Sequence, residues 1–190
     1  AFLPTPTVER DGDRFLLDHD RPQSIGKVRS YYGNFGMLVR AYAYIRTYGS
    51  SISAVAENAV LNARYLQSRL RGIFPMAVTS DSMHEFVATT RGSRVAGLRA
   101  LDVAKRLLDY GVYAPTAYFP TTVPEALMFE PTETESKQSL DLLADVCAAV
   151  FAEAERDLDH VRSAPHETPV SRVDEVEAAR RPVLRWRPAE

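Results

Sequence analysis

Residues 125–160 read EALMFEPTETESKQSLDLLADVCAAVFAEAERDLDH, and the division of this stretch decides the fold. Its opening, Ala126 to Phe129, is a short apolar run that reads as a buried strand, and Glu130 and Pro131 stop it because proline cannot donate to a sheet ladder. Thr132 stands three residues before Glu135. This is the spacing of a capping box, in which hydroxyl and carboxylate each satisfy an otherwise unpaired backbone N–H, so a helix is expected to open there. Leu140, Leu143, Ala144, Cys147, Val150, Phe151, Ala154 and Leu158 then recur at helical spacing as one apolar stripe. A strand that feeds a long amphipathic helix requires a sheet against which the stripe is buried.

Working outward, the same rules divide the rest of the chain. Asp11 and Gly12 lie between two short apolar-containing runs and predict a β-hairpin, since these residues tolerate the positive φ that tight turns require. Leu38, Ala41, Tyr42 and Ile45 predict a helix over 34–48 that Gly49 ends. A second helix is expected from about Ser53 to Arg71, with Val55, Ala59, Leu66 and Leu70 inward and Asn58, Asn62 and Arg64 left for solvent or a partner. The second half of 83–90 reads as a strand, the run from Leu98 to Leu108 as a helix closed by Gly111, and residues 113–120 as another short β segment. The order is helix, helix, strand, helix, strand, strand, helix. Antiparallel strands with helices on one face would bury these stripes, which predicts a two-layer α+β domain. Residues 1–26 read as a hairpin arm and linker, 27–162 as the α+β domain and 163–190 as a tail. In that tail Ser171 is expected to open a short helix and Trp186 to dock on the surface.

The composition of these 190 residues, 45% apolar and 25% charged with a net charge of −2, is that of an ordinary globular domain without the basic excess of a nucleic-acid footprint. No apolar run of membrane-spanning length, secretory signal or glycosylation sequon occurs, so a cytoplasmic setting and no membrane partner are the expectation. Cys147 is the single cysteine and stands on the apolar stripe, where cysteine is far more often core than nucleophile.

Candidate chemistry is sparse. Ser24 and Lys27 match an S-x-x-K pattern, but the companion elements of that chemistry are absent and the match is weak. Gly33 and Gly36 precede a helix start, whose unpaired N–H groups attract anions; a plain loop with aromatic packing residues is the alternative. His84 and Glu85 are adjacent, so an extended chain would send them to opposite faces, one inward and one at a rim. A shared chemical role does not follow from adjacency, and no residue is singled out as catalytic or as a metal ligand.

Five longer strings carry more information: DRPQSIGKVRSYYGNFG (20–36), AENAVLNA (56–63), MHEF (83–86), LDVAKRLLDYG (101–111) and PEALMFEPTETESK (124–137). In this order they resemble the C-terminal part of the pyridoxal-phosphate-dependent glycine decarboxylases, the P-proteins of the glycine cleavage system, and within them subunit 2 of the split bacterial form. The resemblance implies the small domain of a fold-type I pyridoxal-phosphate enzyme, joined to the large domain of the same polypeptide and assembled with subunit 1. The family reaction decarboxylates glycine and passes the aminomethyl group to the lipoyl arm of the H-protein. In the family the cofactor is carried by a lysine that follows a histidine near a glycine-rich string. Lys27, Lys105 and Lys137 are the only lysines here and none follows His, so the chain alone is expected to be inactive. Tyr32, Gly33 and Asn34 are expected near the cofactor phosphate, and His84 or Glu85 near the approach of glycine or the lipoyl arm. The alternative is a non-enzymatic α+β module that acts through assembly or small-ligand binding. Apolar side chains around more than one face of the 34–48 helix further predict self-association of the chain.

Overall fold

The computed structural model describes residues 1–30, 33–186 and 188, which fall into two compact units, Ala1–Ile52 and Ser53–Glu190. In the first unit, β1 (Thr7–Asp11) and β2 (Arg14–Asp18) form the expected hairpin with Val8 opposite Leu17. Asp11 pairs with Arg14, so the turn residues are Gly12 and Asp13, one position later than expected. Gly12 takes the positive φ of 59° that the turn needs. Helix α1 (Phe35–Tyr48) starts where Asn34 Oδ1 accepts the Met37 N–H, and it ends at Gly49, whose φ is 54°. None of its residues is buried.

The second unit contains α2 (Ile52–Leu70), β3 (Phe86–Thr89), α3 (Ala100–Asp109), β4 (Thr116–Ala117), β5 (Ala126–Phe129), α4 (Lys137–Arg156), α5 (Leu158–Ser163) and α6 (Glu175–Arg180). The strands make one antiparallel sheet in the order β3-β5-β4, with Phe86 opposite Phe129 and Thr116 opposite Met128. The 75–77 segment extends the sheet beyond β3 through Ala77 N–H to Val87 O and Thr89 N–H to Pro75 O. With helices packed on this small sheet, the two-layer α+β arrangement expected from the element order is present. Leu66 and Leu70 of α2, Val103 and Leu107 of α3, and Cys147, Val150 and Phe151 of α4 are buried together against the strands. Phe74 packs edge-on against Phe151 at 4.8 Å and Phe129 at 6.0 Å, while Phe129 stacks on Phe86 at 5.2 Å, so one aromatic set ties helix to sheet.

Several local expectations are corrected. Helix α4 opens four residues later than Thr132 predicted: Ser136 caps it by accepting the Ser139 N–H at 3.1 Å, while Thr132 and Thr134 share a hydroxyl contact before the helix. It also ends before Leu158, because Asp157 leaves helical geometry (φ −149°, ψ 88°) and caps α5 instead. Asp174, not Ser171, caps α6 by accepting the Glu177 N–H. Trp186 is 87% exposed and docks on nothing among the described residues. Asn62 and Arg64 are used internally, donating to Thr132 O and Ser82 O. Among the described residues no helix is long and apolar enough to cross a membrane.

Candidate functional site

The side chains of His84, Glu85 and Glu130 converge at one end of the sheet, their ligand-type N and O atoms all within 4.8 Å of one another. The strand register explains this. Phe86 lies opposite Phe129, so continuing the antiparallel pairing by one residue places Glu85 across from Glu130. His84 and Glu85 precede β3 and occupy a bend and an unpaired position, so the alternation that would have sent them to opposite faces does not apply. The expected separation of the two is thereby overturned. Glu130, the first residue after β5, is the member missed in the sequence; its signal was the register, which links segments remote in the chain.

Helix α2 and Arg71, the residue that follows it, position both arms of the cluster. Arg64 Nε donates to Ser82 O at 2.9 Å, Ser82 Oγ meets Gln67 Oε1 at 3.3 Å and Arg71 pairs with Asp81 at 3.3 Å, fixing the loop that delivers His84. On the other arm, Asn62 Nδ2 donates to Thr132 O at 2.8 Å and Glu135 O at 3.2 Å, fixing the chain that leaves Glu130. Two carboxylates opposite one another repel unless a proton or cation lies between them, and the adjoining imidazole can supply or accept that proton. The arrangement therefore suits proton handling or the holding of a cationic group at the sheet's rim. Glu130 also borders a cleft of about 430 Å³ between the 111–115 turn and α4, lined on its apolar side by Leu66, Phe129, Leu140 and Leu143. Polar groups at the mouth of an apolar cleft are the usual composition of a small-molecule site.

The second candidate set lies at the start of α1. Tyr32 falls outside the described residues. Gly33 has φ 72° and donates to Ser30 O at 2.8 Å, and a side chain built at Gly33 would meet nothing within 4 Å. No acidic residue occupies the first turn of α1, so nothing in that turn compensates the positive end of the helix dipole. These features fit an anion such as a phosphate group, although Asn34 Oδ1 is spent on capping Met37.

Of the three lysines, Lys137 is held in contacts within the chain. Lys137 donates to Asp141 at 2.6 Å and lies 5.2 Å from the centre of the Tyr65 ring. Its hydrogen bond to Asp141 holds its pKa above the ordinary lysine value, the opposite of an activated amine. Lys27 is exposed and Lys105 half-buried on α3. Cys147 is fully buried, and burial pushes its thiol up to about 12, so it is a core residue.

Comparison with known proteins carries this geometry into a family. The family described as glycine dehydrogenase, C-terminal domain, matches residues 55–172, more than half of the chain and all of the sheet. The chain is 52% identical over 186 residues to a protein of Caldanaerobacter subterraneus subsp. tengcongensis, 50% identical over 186 residues to one of Halalkalibacterium halodurans and 51% identical over 190 residues to one of Lysinibacillus sphaericus. Each is named probable glycine dehydrogenase (decarboxylating) subunit 2. The alignments cover 97%, 97% and 99% of this chain but only 38%, 38% and 39% of those proteins, so the chain spans about two-fifths of its relatives' length. On the family match and its extent, this chain belongs to the glycine dehydrogenase C-terminal domain family.

Proposed function

We propose that the chain is the C-terminal small domain of a cytoplasmic glycine dehydrogenase (decarboxylating) subunit 2 and works only when joined to the rest of that enzyme. The full assembly decarboxylates glycine and transfers the aminomethyl group to the lipoyl arm of the H-protein, with subunit 1 completing it. The observation that carries this reading is the family match over residues 55–172, which include the whole three-stranded sheet, together with identity near one-half to proteins of that name. Pyridoxal phosphate, when bound in the assembly, supplies the electron sink for decarboxylation. Tyr32, Gly33 and Asn34 stand near its phosphate, and the covalent lysine lies in the remainder of the polypeptide. His84, Glu85 and Glu130 line the approach of glycine or the lipoyl arm. There the imidazole and a carboxylate can hold a proton close to the substrate's ammonium or carboxylate group.

Two measurements test the reading. In the complete assembly, His84→Ala and Glu85→Ala are each expected to lower glycine turnover by about a hundredfold, the scale of lost general acid–base assistance. Unchanged turnover and unchanged glycine affinity in both would reduce the cluster to a structural role. The isolated chain, incubated with pyridoxal phosphate and then borohydride, should yield no stoichiometric pyridoxyl-lysine. One quantitatively labelled lysine would place the covalent attachment here and overturn the assignment.

A further inference from the structure

The cluster of His84, Glu85 and Glu130 has the donor set of a metal site as well as the spacing of one. One imidazole and two carboxylates each offer a ligand atom, and these atoms lie within 4.8 Å of one another. Two ligand atoms on a tetrahedral zinc ion are about 3.4 Å apart, so closing the set takes shifts on the order of 1 Å. His84 and Glu130 are exposed at the rim, where side-chain rotation supplies such shifts without disturbing the core. The bases of the two arms are stiff: Phe86, next to Glu85, stacks on Phe129, next to Glu130, with ring centres 5.2 Å apart.

A second and independent observation concerns charge. At two other places in this unit where carboxylates gather, an arginine serves both. Arg69 pairs with Asp141 and Asp145, and Arg106 pairs with Asp109 and Glu153. Glu85 and Glu130 meet across the end of the sheet, yet among the described residues neither side chain has an ion-pair or hydrogen-bond partner, and neither does His84. Like charges so placed repel, and a dication balances both carboxylates beside a neutral imidazole. The donor set narrows the ion. Mg²⁺ and Ca²⁺ are held by oxygen ligands, so the imidazole selects against them, and soft Cu(I) calls for sulfur, whereas Cys147 is sealed in the core. An imidazole with carboxylates suits a first-row dication such as Zn²⁺. Three protein ligands leave at least one coordination position for water or an incoming ligand. Because Glu130 also borders the cleft of about 430 Å³, the ion would stand beside a space able to hold that ligand. We infer that His84, Glu85 and Glu130 bind one divalent first-row transition ion of the Zn²⁺ class, through an imidazole nitrogen and one oxygen of each carboxylate. The site shares its residues with the substrate approach proposed above but uses no step of that reaction.

The test is a titration of the chain with Co²⁺ followed by visible absorption, with Zn²⁺ and Mg²⁺ as competitors. One Co²⁺ per chain should bind, with d–d bands more intense than those of the aqueous ion because fewer than six ligands surround it. Zn²⁺ in equimolar amount should displace it, as the order of affinities requires, and Mg²⁺ should not. A parallel titration of the isotopically labelled chain with Zn²⁺ should give saturable amide shifts centred on residues 84–86 and 129–131. His84→Ala and Glu130→Gln should each weaken binding by about a hundredfold, at least the loss caused by removing a partner that only supports a ligand. The amide spectrum elsewhere should stay that of the parent, which separates loss of a ligand from misfolding. His166→Gln is the control, since His160 and His166 stack at 4.5 Å and are the other neighbouring imidazoles; it should leave the titration unchanged. Absence of saturable binding, parent affinity in His84→Ala, displacement by equimolar Mg²⁺ or loss of the signal in His166→Gln would each overturn the assignment. Binding is read here without turnover, so its failure would leave the roles of His84 and Glu85 in the reaction to the turnover variants above.

Discussion

Asp109 accepts the N–H groups of His166 at 2.7 Å and Glu167 at 2.8 Å and pairs with Arg106 at 2.8 Å, so one carboxylate at the end of α3 fastens the chain that follows α5. Burial alone would raise its pKa, but the Glu167 N–H, the Arg106 guanidinium and the His166 N–H outweigh burial and hold the carboxyl below its usual range. A depressed folded-state pKa contributes stability that is present above the unfolded value and is lost as pH falls through the folded one. Stability should therefore decline on acidification below about pH 4, and Asp109→Asn should flatten some of that decline while costing about 2 kcal/mol near neutrality. Urea unfolding across pH checks both; a variant with the parent's acid limb and parent stability would show the fastening to be idle. Asp102, nearer the start of α3, is a second fastening of the same kind. It is 2% exposed, accepts the Arg99 N–H at 3.1 Å and meets Arg172 at 2.8 Å, and Arg172 also donates to Ala164 O at 2.7 Å. Arg172→Ala strands that buried carboxylate; because Arg172 is itself partly solvated, the expected cost is about 2 kcal/mol, at the low side for a broken buried pair. Neither fastening was legible beforehand, since Arg172 and Asp102 are joined by nothing local in the chain.

At the scale of elements, α4 shows what sequence reading resolves and what it does not. The apolar stripe through Leu140, Ala144, Cys147, Val150 and Phe151 was legible, and those residues are buried as their spacing requires. The helix start was not. Thr132 and Glu135 have the spacing of a capping box, but Asn62 of α2 claims the carbonyls of both residues and holds 132–135 as a turn, so the helix begins at the next available hydroxyl, Ser136. A long-range side-chain contact outweighs a local preference worth only about 1 kcal/mol. Ser136→Ala should accordingly lower the stability of the second unit by about 1 kcal/mol, whereas Thr132→Ala should stay within about 0.5 kcal/mol of the parent. Equal losses in the two variants would return the cap to Thr132. The strands follow the same division: their existence was legible from short apolar runs, while the pairing that sets Glu130 beside His84 and Glu85 is non-local and appears only once β3 and β5 are in register.

For the molecule as a whole, the first unit is the region with the least core. Helix α1 has Leu38, Tyr42 and Ile45 at 55%, 66% and 56% exposure, and in the hairpin Phe15, Leu16 and Leu17 are exposed as well. Single exposed apolar residues are ordinary, but a helix that carries this many and buries none has no hydrophobic face of its own to stabilise it. The chain corresponds to about two-fifths of its relatives' length, and the remainder of such a polypeptide is the surface we expect to cover α1. Supplied alone at high concentration, the chain should use another copy in its place. Sedimentation should then show concentration-dependent association, and Leu38→Glu combined with Ile45→Glu should return the chain to a monomer without altering the thermal unfolding of the second unit. Adding the remaining portion of a relative's polypeptide should compete with self-association in the parent and not in the double variant, because one apolar face serves both contacts and binding to it stabilises α1 by mass action. A parent chain that sediments as a monodisperse monomer, or a double variant that associates as strongly as the parent, would assign the exposed face of α1 to solvent.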